Sequence, residues 1–86
     1  MKMAVQFYDC RLLTVEDFVL KALKPAATKR NLEGYKYIEV NYWDIYADFI
    51  EFYPYDGECI SSASVYETFV DLGYKVKYKN GIFYLR

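Results

Sequence analysis

The chain has 86 residues, of which 55% are hydrophobic and 21% aromatic, and its formal net charge is −1. This length allows one domain, over residues 1–86, and the composition excludes an intrinsically disordered chain. There is no histidine, which removes the commonest general base and metal ligand, and the sequence has no glycine-rich phosphate-binding loop. We therefore expect a domain that is not an enzyme and that holds no cofactor and no metal.

No apolar run approaches the roughly 20 residues that a membrane helix needs, so we expect no membrane partner. The N-terminal segment lacks the features of a signal peptide, which predicts a cytoplasmic location, in the host cytoplasm if the gene is viral. The two cysteines, Cys10 and Cys59, fit no metal or redox spacing. In a reducing compartment we expect both to be small hydrophobic residues of the core.

The first predicted element is a helix that follows an N-terminal extension. Residues 1–13 are compatible with either an extra strand or a helical extension, and the pattern leaves both open. Thr14 followed by Asp17 indicates a capped helix N-terminus. The apolar residues that then share one helical face are Val15, Phe18, Val19 and Ala22. We expect Pro25 to stop or break the helix near Lys24, because proline has no N–H to donate.

The middle of the chain is ambiguous. Residues 35–40 look like a short strand, but residues 41–53 fit both the helical and the strand period. As a helix, this segment begins with Asn41 and Asp44, which imitate a capping box. Its apolar stripe is Ile45, Tyr46, Phe49 and Phe52. As a strand, it would bury Asp48, so we favour the helix and keep the strand as the alternative.

The last third of the chain predicts a helix and a β-hairpin. Ser61 or Ser62 is a good N-cap, and Gly73 lies where a left-handed C-terminal residue is expected. The residues that share the inward face of this helix are Val65, Thr68, Phe69 and Leu72. Asn80-Gly81 between two alternating runs is a strong hairpin signal. A two-residue turn places Val76, Tyr78, Phe83 and Leu85 on one face, and Lys75, Lys77, Lys79, Ile82, Tyr84 and Arg86 on the other.

The order of these elements predicts an α+β fold of the winged helix-turn-helix type: helix, short strand, helix, helix and C-terminal hairpin wing. Residues 45–52, 60–62, 69, 72–74, 80–81 and 84–85 resemble the C-terminal winged-helix domain of poxvirus-type helicase-primases from phages, plasmids and mobile elements. The resemblance covers about residues 14–86. No helicase or primase domain is attached, so it implies a free-standing relative, encoded by a phage or mobile element, that serves as a replication-accessory or regulatory protein.

The charges are divided between two parts of this predicted fold. Every charged residue between Tyr37 and Tyr74 is acidic, whereas every charged residue after Tyr74 is basic. Because phosphate neutralisation supplies much of the affinity for nucleic acids, the wing is a better DNA anchor than the acidic helices. The predicted nucleic-acid-binding residues are Lys75, Lys77, Lys79 and Arg86 on phosphates, Tyr84 as a stacking ring and Asn80 at a groove edge, with Ser62 and Ser64 as further phosphate contacts. The alternative, purely structural interpretation is that the lysines only keep an exposed strand edge soluble.

The alternative hypothesis is a protein-interaction module or inhibitor. The chain has 11 tyrosines, which cannot all lie inside so small a core, and exposed tyrosines are typical of protein-binding surfaces. An acidic, tyrosine-rich helical face would bind a host or replication protein, by imitating DNA in one version of the hypothesis. The residues predicted for this face are Tyr53, Tyr55, Tyr66, Glu67 and Asp71. An acidic face and a basic edge on one molecule also leave a homodimer open.

Overall fold

The computed structural model describes residues 14–86, and the prediction for residues 1–13 lies outside them. Within this range the elements are α1 (Val15–Glu33), β1 (Ile38–Asn41), α2 (Tyr42–Phe52), a 3-10 turn (Gly57–Cys59), α3 (Ser62–Asp71), β2 (Val76–Lys79) and β3 (Ile82–Leu85). The described chain is therefore a small α+β fold with three α-helices and a three-stranded antiparallel sheet. This element order is compatible with a winged-helix-like arrangement.

Helices α1 and α3 begin at residues that the sequence predicts. The Asp17 carboxylate accepts a hydrogen bond from the backbone N–H of Thr14 at 2.7 Å. The Ser61 hydroxyl accepts one from the backbone N–H of Ser64 at 3.1 Å. These bonds pair donors that the first turn of a helix leaves unsatisfied, so Thr14 and Ser61 are the N-caps. After α3, Gly73 takes the predicted left-handed conformation, with φ of 98°.

The prediction that Pro25 ends α1 near Lys24 is wrong, because the helix continues to Glu33. Pro25 is exposed, so the helical hydrogen bond that it cannot donate is lost on the solvent side, where an unpaired carbonyl costs less than in the core. Leu23 and Ala26, on either side of the proline, both pack against the core. This packing holds the two halves of the helix in line.

The continuous helix makes a testable prediction about stability. Pro25→Ala restores a helical N–H in α1, and an interior proline costs a helix about 3 kcal/mol relative to alanine. Greater freedom of the unfolded chain offsets about 1 kcal/mol of that gain. We expect the free energy of unfolding, measured in urea, to rise by about 1–2 kcal/mol. Lys24→Ala is the matched control and should change it by less than about 0.5 kcal/mol; a less stable Pro25→Ala variant would contradict the account.

The ambiguous segment at residues 41–53 forms helix α2, as favoured. Its buried residues are Tyr42, Ile45 and Phe49. Asp48 lies at the margin of this apolar face and is half-buried. The Asn41 side chain caps the helix by accepting a hydrogen bond from the backbone N–H of Trp43 at 2.9 Å. Asn41 thus accepts its hydrogen bond from the second residue of the helix, Trp43, whereas the predicted capping box would have it accept from the third, Asp44.

The predicted hairpin register is confirmed, with Val76 opposite Leu85 and Lys77 opposite Tyr84. The two turn residues, Asn80 and Gly81, have φ of 51° and 84°, as a two-residue hairpin turn requires. Strand β3 is central in the order β1-β3-β2. The predicted strand at residues 35–40 begins later, at Ile38, and pairs with β3.

One face of the sheet packs on the helices and forms the core with them. The buried hydrophobic residues are Phe18, Val19, Leu23, Ile38, Val40, Tyr42, Ile45, Phe49, Ile60, Val65, Phe69, Phe83 and Leu85. The rings of Phe69 and Phe83, 5.3 Å apart between centroids, join α3 to the central strand. The prediction of a core cysteine at Cys59 is wrong, since this residue is exposed. It ends the 3-10 turn, and the next residue, Ile60, enters the core instead; Cys10 lies outside the described residues.

Candidate nucleic-acid interface

The second face of the sheet carries the basic residues of the hairpin. Directly paired residues project to the same side, so Glu39, Tyr84 and Lys77 form one row across the three strands. Lys75 and Arg86 extend this ladder, because their backbones exchange two hydrogen bonds of 3.0 Å. We call this surface the outer sheet face. Its residues are Tyr37, Glu39, Asn41, Lys75, Lys77, Lys79, Ile82, Tyr84 and Arg86.

Two tyrosines and an arginine contact one another on the outer sheet face. The rings of Tyr37 and Tyr84 lie 6.1 Å apart between centroids, at an interplanar angle of 79°, which is a favourable edge-to-face geometry. The guanidinium carbon of Arg86 lies 5.8 Å from the centroid of the Tyr37 ring, and the Lys36 ammonium lies 5.5 Å from it. Both tyrosines are half-buried, so packing orients their rings while part of each remains accessible.

The same side chains border a shallow cavity of about 230 Å³, which is lined by Tyr37, Lys75, Val76, Lys77, Tyr84 and Arg86. Three cationic side chains, Lys75, Lys77 and Arg86, line this cavity. The charge of Lys36 lowers the pKa of Tyr37 most, and a hydrogen bond from Arg86 and the charges of Lys77 and Arg86 add to that effect against the opposing effect of burial. Groups that stabilise a phenolate also stabilise other anions. The cavity is therefore suited to a ligand that carries negative charge beside an aromatic or apolar group.

The remaining predicted wing residues lie toward the hairpin turn. Lys79 is exposed and pairs with Ile82 on the outer sheet face. Asn80 is exposed in the turn itself. The indole nitrogen of Trp43 lies 3.3 Å from the position that a Cβ would occupy at Gly81. The Trp43 side chain of α2 thus packs against the turn at Gly81, while Lys79 and Asn80, on the other side of the turn, remain exposed to solvent.

The structure does not bring the two predicted serines to this surface. Ser62 and Ser64 lie in the first turn of α3, and α3 packs on the opposite face of the sheet through Phe69. The Ser64 hydroxyl accepts a hydrogen bond from the backbone N–H of Ser61 at 2.9 Å. It therefore completes the helix cap, which restricts its availability to a phosphate.

The residues predicted for protein interaction divide into two kinds. The Tyr53 ring packs on Phe49 at 5.3 Å between centroids, so it lies at the margin of the core. The Tyr66 hydroxyl donates a hydrogen bond to the Val76 carbonyl at 3.3 Å, which ties α3 to β2. Tyr55, at 96% exposure, and the acidic side chains of Glu67 and Asp71 are freely accessible.

Sequence reasoning missed Tyr37 and its neighbour Lys36 as residues of the candidate site. The available signal was the alternation of Tyr37 and Glu39 with the apolar residues Ile38 and Val40, which places the first two on one strand face. What the pattern did not contain was the partner of this strand. Only the pairing of β1 with β3 brings Tyr37 beside Tyr84 and Arg86.

Two kinds of site are absent from the part of the chain that the structure describes. No helix within residues 14–86 is long and apolar enough to cross a membrane. In the same range, no group of three or more His, Cys, Asp or Glu side chains is placed to hold a metal ion.

No family model, curated protein or solved structure matches the chain.

Proposed function

We propose that this protein is a non-enzymatic winged-helix protein that binds nucleic acid through its basic hairpin wing. In this proposal it is encoded by a phage or mobile element and acts as a replication-accessory or regulatory factor. The observation that carries the proposal is the composition of the outer sheet face. In a chain of net charge −1, this one surface combines Lys75, Lys77, Lys79 and Arg86 with two accessible tyrosine rings.

The electrostatics of binding support this surface over the third helix. Lysine and arginine release counterions from the phosphate backbone when they bind, and this release supplies much of the affinity. The exposed side of α3 carries Glu67 and Asp71, and the helix has no Lys or Arg. An α3 placed in a major groove, the usual docking mode of helix-turn-helix proteins, would set these carboxylates among phosphates. The wing is therefore the proposed contact.

The rival function, binding of a host or replication protein through the acidic helices, has narrower support. Tyr53 and Tyr66 are engaged in packing and in a hydrogen bond within the fold. Tyr55, Glu67 and Asp71 remain exposed and would supply such a surface. This function becomes the leading one if the nucleic-acid assay below is negative.

Fluorescence polarisation of labelled single-stranded and duplex 12-mers, titrated at 50 and 200 mM salt, tests the proposed function. We expect micromolar binding at low salt. If the four cations of the outer sheet face contact phosphates of a single strand, the log–log salt slope is about −2.8, and affinity falls roughly 50-fold between these salt concentrations. If neither the single-stranded nor the duplex oligonucleotide binds at 50 mM salt, the proposal is refuted.

A further inference from the structure

The outer sheet face is divided into an aromatic half and a cationic half. Tyr37 precedes the edge strand β1 and meets Tyr84 of the central strand. Lys77 lies on the opposite side, in the edge strand β2, and Lys75 directly precedes that strand. The acidic residue of this face, Glu39, belongs to β1, where Lys29 and Arg30 of α1 line a cavity with it and Lys36 lies over Tyr37. Because Lys75, Lys77 and Lys79 follow one another along this edge of the sheet without an acidic residue between them, the phosphates of a bound strand would run along β2, with its bases turned toward the tyrosines.

The size of the face fits a short stretch of one nucleic-acid strand. Neighbouring strands are about 4.8 Å apart, so the three strands span roughly 10 Å, and the rows from Lys75 to Lys79 span about 14 Å. The accessible tyrosine rings favour a ligand that has a flat aromatic face free to stack on them. In a duplex the faces of the bases are covered by neighbouring base pairs, whereas an unpaired base can stack on an aromatic side chain or on a guanidinium plane.

We propose that the outer sheet face binds single-stranded nucleic acid in preference to duplex, with bases stacked on Tyr37 and Tyr84 and phosphates on Lys75 and Lys77. This inference rests on the proposed function and names its ligand class. The Arg86 guanidinium lies over the Tyr37 ring, 5.8 Å from its centroid, so a base stacks either on the outer side of the guanidinium plane or on the ring in its place. Tyr37 thereby becomes a binding residue, although it stands some forty residues from the basic hairpin in the sequence.

The test compares an eight-residue oligothymidylate with an abasic oligomer of equal length, which has the same phosphates but no bases. Stacking of one or two bases should make the wild-type protein bind the thymidylate roughly 5- to 100-fold more tightly than the abasic strand at 50 mM salt. A duplex of eight base pairs should bind more weakly than the thymidylate. These comparisons use the wild-type protein and need no variant to fold.

Variants at Tyr37 assign the effect to this site. Tyr37→Leu should weaken binding of the thymidylate by about 5- to 10-fold and leave binding of the abasic strand within about twofold. Tyr37→Phe keeps the ring and should retain most of the affinity. Tyr55→Leu changes a tyrosine that is 96% exposed and lies outside the outer sheet face, so it is the matched control and should behave as wild type.

The possible failures can be told apart. Equal binding of the base-bearing and abasic strands, or preference for the duplex, overturns the single-strand inference; the proposed function survives either result if binding still weakens steeply with salt. Loss of thymidylate binding in Tyr37→Leu accompanied by equal loss of abasic binding would also overturn it, because the ring would then act through the fold. Absence of binding to all three ligands refutes both proposals.

Discussion

Reversing the charges of Lys75 and Lys77, at the beginning of β2, in a Lys75→Glu/Lys77→Glu variant should weaken nucleic-acid binding by more than about 100-fold at 50 mM salt. The substitutions replace two attractive phosphate contacts with two repulsive ones. Each lost phosphate contact also lowers the steepness of the salt dependence by about 0.7 for a single strand, so the slope should fall by about 1.4. Polarisation titrations at several salt concentrations measure both quantities.

This experiment also separates a role of the lysines in binding nucleic acid from a purely structural role in keeping the strand edge soluble. Both positions are exposed, Lys77 on an edge strand and Lys75 directly before it, and charge of either sign at such an edge opposes pairing with another chain. The glutamate variant should therefore remain soluble and fold normally while losing its ligand. Lys21→Glu/Lys24→Glu is the matched control, since it makes the same change of net charge on α1; the exposed Lys21–Asp48 ion pair of 3.9 Å that it breaks is worth less than about 1 kcal/mol. An equal loss of affinity in that control would show that net charge, and not the outer sheet face, governs binding.

Phe83→Ala should destabilise the fold by about 3–5 kcal/mol, the usual cost of removing a buried phenylalanine ring. Phe83 is fully buried on the central strand. Its ring lies 5.3 Å from that of Phe69 and 4.6 Å from that of Tyr78, between centroids. Because the whole domain is expected to have a stability of only about 4–13 kcal/mol, a large part of it would be lost. The free energy of unfolding in urea, measured at one temperature, gives the difference.

Phe52→Ala is the matched control for this prediction. Phe52 is 59% exposed, although its ring still lies 5.8 Å from that of Phe18. Removing it leaves little cavity, so we expect a loss of about 1 kcal/mol. Comparable losses of stability at Phe52 and Phe83 would contradict the central place of Phe83 in the core. The expected difference supports a core built between α3 and the sheet face that carries Phe83.

The correct predictions from sequence concern features whose causes are local. Asn80-Gly81 supplies the two positive φ angles of the turn, and strand alternation then sets which residues face each other. This alone places Lys75, Lys77 and Lys79 on one surface. The caps at Thr14 and Ser61 are likewise produced by side chains within one turn of the helix that they begin. Helix α2 follows from the same reasoning, because only its helical period keeps Asp48 out of the core.

The features that the sequence alone did not supply arise from contacts between distant segments. Pro25 remains inside α1 because packing of Leu23 and Ala26 outweighs one hydrogen bond lost to solvent, a balance that no local pattern contains. Tyr37 joins the candidate site only because β1 pairs with β3. Local chemistry thus determined the turn, the caps and the basic stripe, while tertiary pairing placed an aromatic ring beside that stripe, since strand partners are selected by the burial of a shared apolar face.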